Sequence, residues 1–278
     1  MKILAIITIY FYDEETLIKN IQSFIDKVDE LLVWDNTPSI ANLSLLTLPI
    51  MQSDKIILCG EGKNQGISYA LNYAWRYSQA KGYDCLLSMD QDSVWVNFDN
   101  FLNLVSKRLK NEKAIFGPWI GDISPKKIFN PVDYIITSGC LIPISILNEI
   151  GGYCTEFFVD GIDVELCCHA KSHGYQSYMV SHCFLIQKFG TPEVKKILGR
   201  KYVTSNYPPN RLYNILRNHI IILHRYKVSR RIYHIVFNVY IIKFSLKILL
   251  GESNKWNKLH AIYKGIWDGL LYKKLNDC

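Results

Sequence analysis

None of the eight cysteines stands in a C-x-x-C pair, which excludes a zinc ribbon and a thioredoxin-type redox motif. Several lie inside apolar runs, at Cys85, Cys140, Cys167 and Cys168, where cysteine serves as a small buried hydrophobe in a reducing cytosol. There is no Gly-Lys-Ser/Thr and no G-x-G-x-x-G, so neither a Walker loop nor a dinucleotide fingerprint is present. No nucleic-acid motif accompanies the basic residues, and nucleic acid is not an expected partner. The apolar start, Met1 to Ile7, stops at Tyr12-Asp13-Glu14-Glu15 without a small-residue cleavage site, which reads as a first strand and not as a signal peptide. Acidic residues are scarce in one region only. Residues 195–278 carry 3 Asp and Glu against 17 Lys and Arg, net +14, whereas residues 1–194 carry 22 against 15, net −7. An acidic body with a basic tail implies two tasks. With 278 residues, 49% of them apolar, the chain can form one large domain with an appendage and a sizeable core.

What is present alternates strand and helix. Lys2 to Tyr10 is an Ile-rich run with the look of a buried parallel strand. Leu17, Ile18, Ile21, Phe24, Ile25 and Val28 follow at helical spacing. Glu30 to Trp34 is a second strand, ending at Asp35-Asn36-Thr37-Pro38. Asp35 is therefore placed at a strand's carboxyl edge, where a base or ribose is held in open α/β sheets; an Asx turn before Pro38 explains it as well. Lys55 to Cys59 is a third strand, running into Gly60-Glu61-Gly62-Lys63-Asn64-Gln65-Gly66 and then a helix. Glycines let backbone approach a ligand, and a helix N-terminus favours anions. Helices are expected at 98–109 and 144–150, and a strand at 114–118.

The central stretch is Cys85-Leu86-Leu87-Ser88-Met89, a strand-length apolar run that stops at Asp90-Gln91-Asp92. Two carboxylates crowded at a strand's carboxyl end repel each other unless a cation lies between them. A hard divalent ion, Mg²⁺ or Mn²⁺, takes such oxygen ligands and tolerates bound phosphates; a polar turn after a strand is the plainer account. Further on, Asp160, Asp163 and Glu165 stand within six residues with apolar residues between them. Such surroundings raise a carboxyl pKa toward the range of a general base, and a helix N-terminus decorated with acids has the same pattern.

In this order the motifs resemble those of the inverting, nucleotide-sugar-dependent glycosyltransferases of family 2, with the GT-A fold, and in particular the bacterial rhamnosyltransferase-like branch. The likeness is carried by Trp34-Asp35-Asn36, Asn64 to Asn72, Met89 to Ser93, Thr137-Ser138-Gly139, Phe158 to Glu165 and Arg211 to Asn218, and covers about residues 3–225. It implies a mostly parallel α/β sheet flanked by helices, and a division into a transferase domain, 1–225, and a helical segment, 226–278. It also implies roles. Asp35, Asn64, Gly66, Asn72, Asp90, Ser138 and Gly139 would border the donor, with Asp92 and Asp90 on the metal. Asp163 would be the catalytic base, and Glu165 would assist with the acceptor. The chain departs from the pattern twice: His169 stands where the family often has Arg, and Gln187 where it commonly has a metal- or diphosphate-facing His. Gln187 offers an amide oxygen instead, and His182 lies nearby. The implied donor is dTDP-rhamnose or a UDP-sugar, and the acceptor a hydroxyl on a glycan or a lipid-linked molecule in surface polysaccharide synthesis. The rivals are a membrane-docked homologue with a decayed site and a nucleotidyltransferase, the latter disfavoured by the aromatic, acidic stretch Tyr10 to Glu15.

In the tail, Ile232 to Leu250 is apolar but broken by His234, Asn238, Lys243 and Lys247, with Arg230-Arg231 before it. A basic, aromatic-rich helix lying in a membrane interface fits this better than a spanning one. It places the protein in the cytoplasm, peripheral at the inner face of the cell membrane and drawn to anionic lipid. Packing against the catalytic domain or a second copy of the chain is the alternative.

Overall fold

The computed structural model describes residues 1–38, 45–121, 124–187, 193–197 and 200–272; residues 273–278 of the basic tail lie outside it. The sheet is built outward from β1 (Ile3–Ile9). Alternate side chains of this strand enter opposite cores, Leu4 and Ile6 on one face, Ile3, Ala5, Ile7 and Ile9 on the other. Burial on both faces is why the strand shows a continuous apolar run and no polar alternation. β2 (Glu30–Asp35), β3 (Ile56–Gly60) and β4 (Cys85–Asp90) join it in parallel, in the order β3-β2-β1-β4. Helices α1 (Glu14–Gln22) and α2 (Ile67–Lys81) make the crossovers, and α3 (Phe98–Leu109) follows.

Beyond β4 the sheet is mixed. β8 (Cys140–Pro143) lies antiparallel between β4 and β6 (Ala114–Trp119), and the long β9 (Gln176–Gln187) runs parallel to β6. Short β5 (Ser93–Trp95) and β7 (Phe129–Val132) pair antiparallel with β9. The expected parallel sheet is thus the N-terminal half, and the remainder folds back across it. Helices α4 (Ile144–Ile150) and α5 (Ile162–Ser172) pack on this second half, and a hairpin of β10 (Glu193–Ile197) and β11 (Arg200–Thr204) forms a separate two-stranded sheet.

The C-terminal layer begins with α6 (Pro209–Arg225). A helical segment from Arg230 to Gly251 follows: α7 (Arg230–His234), a π-helical stretch Ile235–Lys243 and α8 (Phe244–Gly251). Then α9 (Lys255–Leu270) returns along α6. The two helices touch closely because Gly265 and Gly269 face α6; a Cβ at Gly265 would stand 2.6 Å from the Tyr213 carbonyl oxygen. By length and composition alone, Arg230–Gly251 is long and apolar enough to cross a membrane. One of its faces rests on the protein through Ile232, Val236 and Ile248.

Candidate active site

The carboxyl ends of β1, β2 and β4 border the crevice where strand order reverses, the usual ligand position in such sheets. A cleft of about 330 Å³ lies there, lined by Asp90, Tyr134, Thr137, Asp160, Asp163 and Gln187, and on its far side by Tyr207, Arg211, His219, Tyr240 and Phe244. A second concavity of about 380 Å³ between α1 and α3 gathers no carboxylate cluster around a strand end: its Lys27 and Asp99 pair with each other at 3.1 Å.

Asp90 is held on every side. The Asn20 amide donates to its carbonyl at 2.5 Å, its own N–H donates to the Ser138 hydroxyl at 3.1 Å, and the Gln187 amide nitrogen donates to its carboxylate at 2.8 Å. Gln187 arrives there because β5 and β9 pair Ser93 with Gln187 directly across the ladder. Burial, with the nearby Asp92 and Asp163 carboxylates, pushes the Asp90 carboxyl up to about 7. Asp163 sits in the first turn of α5, its carboxylate accepting from the Val164 N–H at 2.9 Å. Burial pushes it up to about 6.

The lining residues bring three carboxylates, Asp90, Asp160 and Asp163, against one fixed cation, Arg211. Among the described residues no three or more His, Cys, Asp and Glu side chains form a metal cluster. The donors that the sequence implies would be two carboxylates and an amide, of which Asp90 and Gln187 line the cleft and Asp92 does not. The Gln187 Oε1 is buried without a hydrogen-bond partner beside Asp90, an orphaned acceptor that a cation would satisfy. Hard oxygen donors in a crowded anionic pocket fit Mg²⁺ or Mn²⁺. The residues that would hold such an ion are Asp92, Asp90 and Gln187. His182 does not line the cleft: its backbone bonds to Ser124 and Asn97 at the bulge where β9 departs from β6.

No family model matches the chain. A curated relative, the dTDP-rhamnosyl transferase RfbF of Shigella flexneri, is 26% identical over 236 residues, covering 75% of this chain and 76% of its own length. The structure is similar to residues 1–349 of S. aureus TarS in complex with UDP-GlcNAc, with a TM-score of 0.61 and 13% identity, over 96% of this chain and 81% of that one. It is also similar to a Pyrobaculum calidifontis mannosyltransferase, PcManGT, in complex with GDP-Man and Mn²⁺ (TM-score 0.58, 14% identity, 99% and 76% covered). A third similar structure is GalNAc-T7 with UDP, GalNAc and Mn²⁺, of whose chain this one spans about half (TM-score 0.59, 14% identity, 93% and 53% covered). The chain has the GT-A glycosyltransferase fold.

Within this GT-A chain the sequence-expected residues separate into those in the cleft and those behind it. Asp90, Asp163 and Gln187 line it. Asp35, at the end of β2, accepts from the Thr37 N–H at 2.8 Å, which is the Asx turn weighed above. Asn64 makes a similar turn, accepting from the Gly66 N–H at 3.0 Å. Gly66, with φ +81°, lies under Phe158, whose carbonyl oxygen would stand 2.6 Å from any Cβ there. Asn72, Ser138 and Gly139, expected to border the donor, do not line the cleft. Asn72 is buried and bridges the Tyr153 backbone, donating to its carbonyl at 2.8 Å and accepting from its N–H at 2.9 Å. Ser138 is fully buried and its hydroxyl accepts from the Asp90 N–H, and a Cβ at Gly139 would stand 2.9 Å from Pro118 and Trp95.

Glu165, expected to assist with the acceptor, does not line the cleft either. Two residues apart on a helix lie on nearly opposite faces, so if Asp163 enters the cleft, Glu165 cannot. It is buried, accepting from the Tyr226 hydroxyl at 2.5 Å and paired with Arg225 at 3.5 Å. His169, one turn on, packs against Tyr226 on the same side. Without Glu165 the Tyr226 hydroxyl loses its acceptor, whereas Arg225 keeps Glu156 at 3.1 Å. Glu165→Ala is therefore expected to cost about 1–3 kcal/mol in urea unfolding, the scale of a buried group left unpaired, while turnover per folded molecule persists. A variant with full stability and lost turnover would return Glu165 to the chemistry.

Sequence reasoning missed Tyr10 and Phe11. Both are exposed, at 47% and 59%, at the end of β1. The Gln91 side chain clasps Tyr10, accepting from its N–H at 2.7 Å and donating to its carbonyl at 3.2 Å, and the Phe11 N–H donates to Thr37 at 3.1 Å. The two rings meet edge to face, centroids 4.6 Å apart and planes at 74°, so at this strand end beside Asp35 a nucleobase could stack on one exposed ring face. Their position directly after a buried strand was the available signal.

Proposed function

We propose that this protein is a metal-dependent, inverting glycosyltransferase that moves a rhamnose-like sugar or a hexose from a dTDP or UDP donor to a hydroxyl of a glycan or lipid-linked acceptor in bacterial surface polysaccharide synthesis. The observation that carries this reading is the convergence of Asp90 and Asp163 on one cleft, although 72 residues of sequence lie between them. The rhamnosyl relative and the nucleotide-sugar and Mn²⁺ complexes of the similar folds support it.

The donor's base would rest at Tyr10, Phe11 and Asp35, and its diphosphate beside Asp90 and Asp92, with Arg211 across the cleft. A divalent ion held by Asp92, Asp90 and Gln187 would supply positive charge against the diphosphate. Asp163 accepts the proton of the acceptor hydroxyl. That oxygen bonds to the anomeric carbon on the face opposite the diphosphate, the bond to the diphosphate oxygen breaks, and its electron pair leaves with the nucleoside diphosphate. Configuration inverts. Holding both substrates in line supplies much of the acceleration. The test is release of nucleoside diphosphate from dTDP-rhamnose or UDP-sugars with Mn²⁺ or Mg²⁺, with the product's anomeric configuration read by NMR. Absence of release across the donor panel, or retained configuration, overturns the proposal.

The outer face of Arg230–Gly251 supports a peripheral membrane location. It exposes Tyr233, Phe237, Ile242, Leu246, Leu249 and Leu250, and Arg230, Arg231 and Lys243 accompany them. Trp256 of α9 is 82% exposed. Apolar and basic residues on one surface match an anionic bilayer interface. The full chain is expected to co-sediment with anionic liposomes and far less with neutral ones, with Arg230→Ala/Arg231→Ala reducing recovery. Equal recovery with both vesicle types, or dimerisation without vesicle binding, counts against the membrane reading.

A further inference from the structure

Asp160 is strained and incompletely used. Its φ is +62°, a left-handed conformation unfavourable for a residue with a Cβ and typically retained where surrounding contacts enforce it. The Asn218 amide enforces it here, donating to the Val159 and Asp160 carbonyls at 3.0 and 2.8 Å. One carboxylate oxygen takes both the Nε and a terminal nitrogen of Arg211 at 3.2 Å. The other, Oδ2, is buried and has no hydrogen-bond partner, an arrangement that calls for a donor.

The wall facing it is aromatic. Tyr207, Phe244, Tyr240 and His219 follow one another with ring centroids 6.0, 5.4 and 4.8 Å apart. His219 Nδ1 lies 2.8 Å from the Ile215 carbonyl. A carbonyl only accepts, so Nδ1 carries the proton and Nε2 is left as an acceptor. Flat apolar rings opposite groups that only accept hydrogen bonds suit a ligand with an apolar face and a rim of hydroxyls.

We propose that Asp160 binds a second acceptor hydroxyl, adjacent to the one that Asp163 deprotonates, so that the protein selects acceptor rings bearing two neighbouring hydroxyls. This rests on the glycosyl-transfer reading of the same cleft. The ring lies against Tyr240 and Phe244, one hydroxyl goes to Asp163, and its neighbour donates to the free oxygen of Asp160.

Saturation-transfer NMR on the full chain, with methyl hexosides and their monodeoxy counterparts as probes, tests it. The expected result is that wild type binds at least one hexoside, and that deleting either of two adjacent hydroxyls weakens binding about tenfold or more, the scale of a hydrogen bond to a charged group. Asp160→Asn, checked for folding by its melting temperature, should lose discrimination at one of the two positions. Tyr240→Leu should weaken parent and deoxy probes alike. Failure of every hexoside to bind wild type, deoxy probes that bind like their parents, or discrimination unchanged in Asp160→Asn each overturns it. The wild-type deoxy series needs no variant. Donor hydrolysis without acceptor is read separately. Discriminating hexoside binding without nucleoside diphosphate release keeps this subsite and removes the transferase reading, and the reverse pattern removes the subsite alone.

Discussion

Asp163→Asn is expected to lower turnover by roughly a hundredfold or more, the scale of general-base catalysis, while donor affinity stays unchanged. Asn keeps the side chain's shape and can still accept from the Val164 N–H, and the donor contacts proposed above lie toward Asp90 and not at Asp163. The pH profile gives the sharper signature. Burial raises this carboxyl to about 6, so wild-type turnover should rise with pH as Asp163 loses its proton near 6, and the variant should lose that limb. Stability runs the other way. A carboxyl whose pKa is higher folded than unfolded makes the fold less stable as pH climbs from its ordinary 3.8 through about 6. Asp163→Asn should therefore melt higher than wild type at neutral pH, with the gap closing in acid. Turnover within a few-fold of wild type, with the acid limb intact, would remove Asp163 from the base role.

Asp92→Ala is the second large effect. With one carboxylate of the pair gone, calorimetric donor binding that depends on Mn²⁺ or Mg²⁺ should disappear. Any residual affinity should be indifferent to chelator. Wild-type donor binding should collapse when EDTA is added. If the variant binds donor as tightly as wild type and remains chelator-sensitive, the ion is held elsewhere.

The parallel half of the fold was plain in the sequence because double burial writes itself as long apolar runs, as in Ile3 to Ile9, and because α2 and α3 keep a helical period. Ser93–Trp95 and Phe129–Val132 were not foreseen: strands this short have no periodicity to detect. Motif order located Asp90 and Asp163, but shared motif membership says nothing about which way a side chain faces. Glu165 was assigned to the acceptor by its place in a motif, and the 200° turn between it and Asp163 on α5 sends it into the interior. Asn72 and Ser138 look like ligand contacts in a linear string because buried struts and exposed donors use the same polar residues. Only the distances to Tyr153 and Asp90 tell them apart.

The helix from Arg230 to Gly251 gives its inner side, through Tyr240 and Phe244, to the cleft, and its outer side to the surroundings. On the two proposals above, one rod would set both where the molecule resides and what it selects. Grafting a different anchor at residue 226 would rebuild the pocket, and a trimmed catalytic fragment would be a catalyst with one wall missing. Lineages of this architecture should therefore change address and preference together, as a single inherited trait.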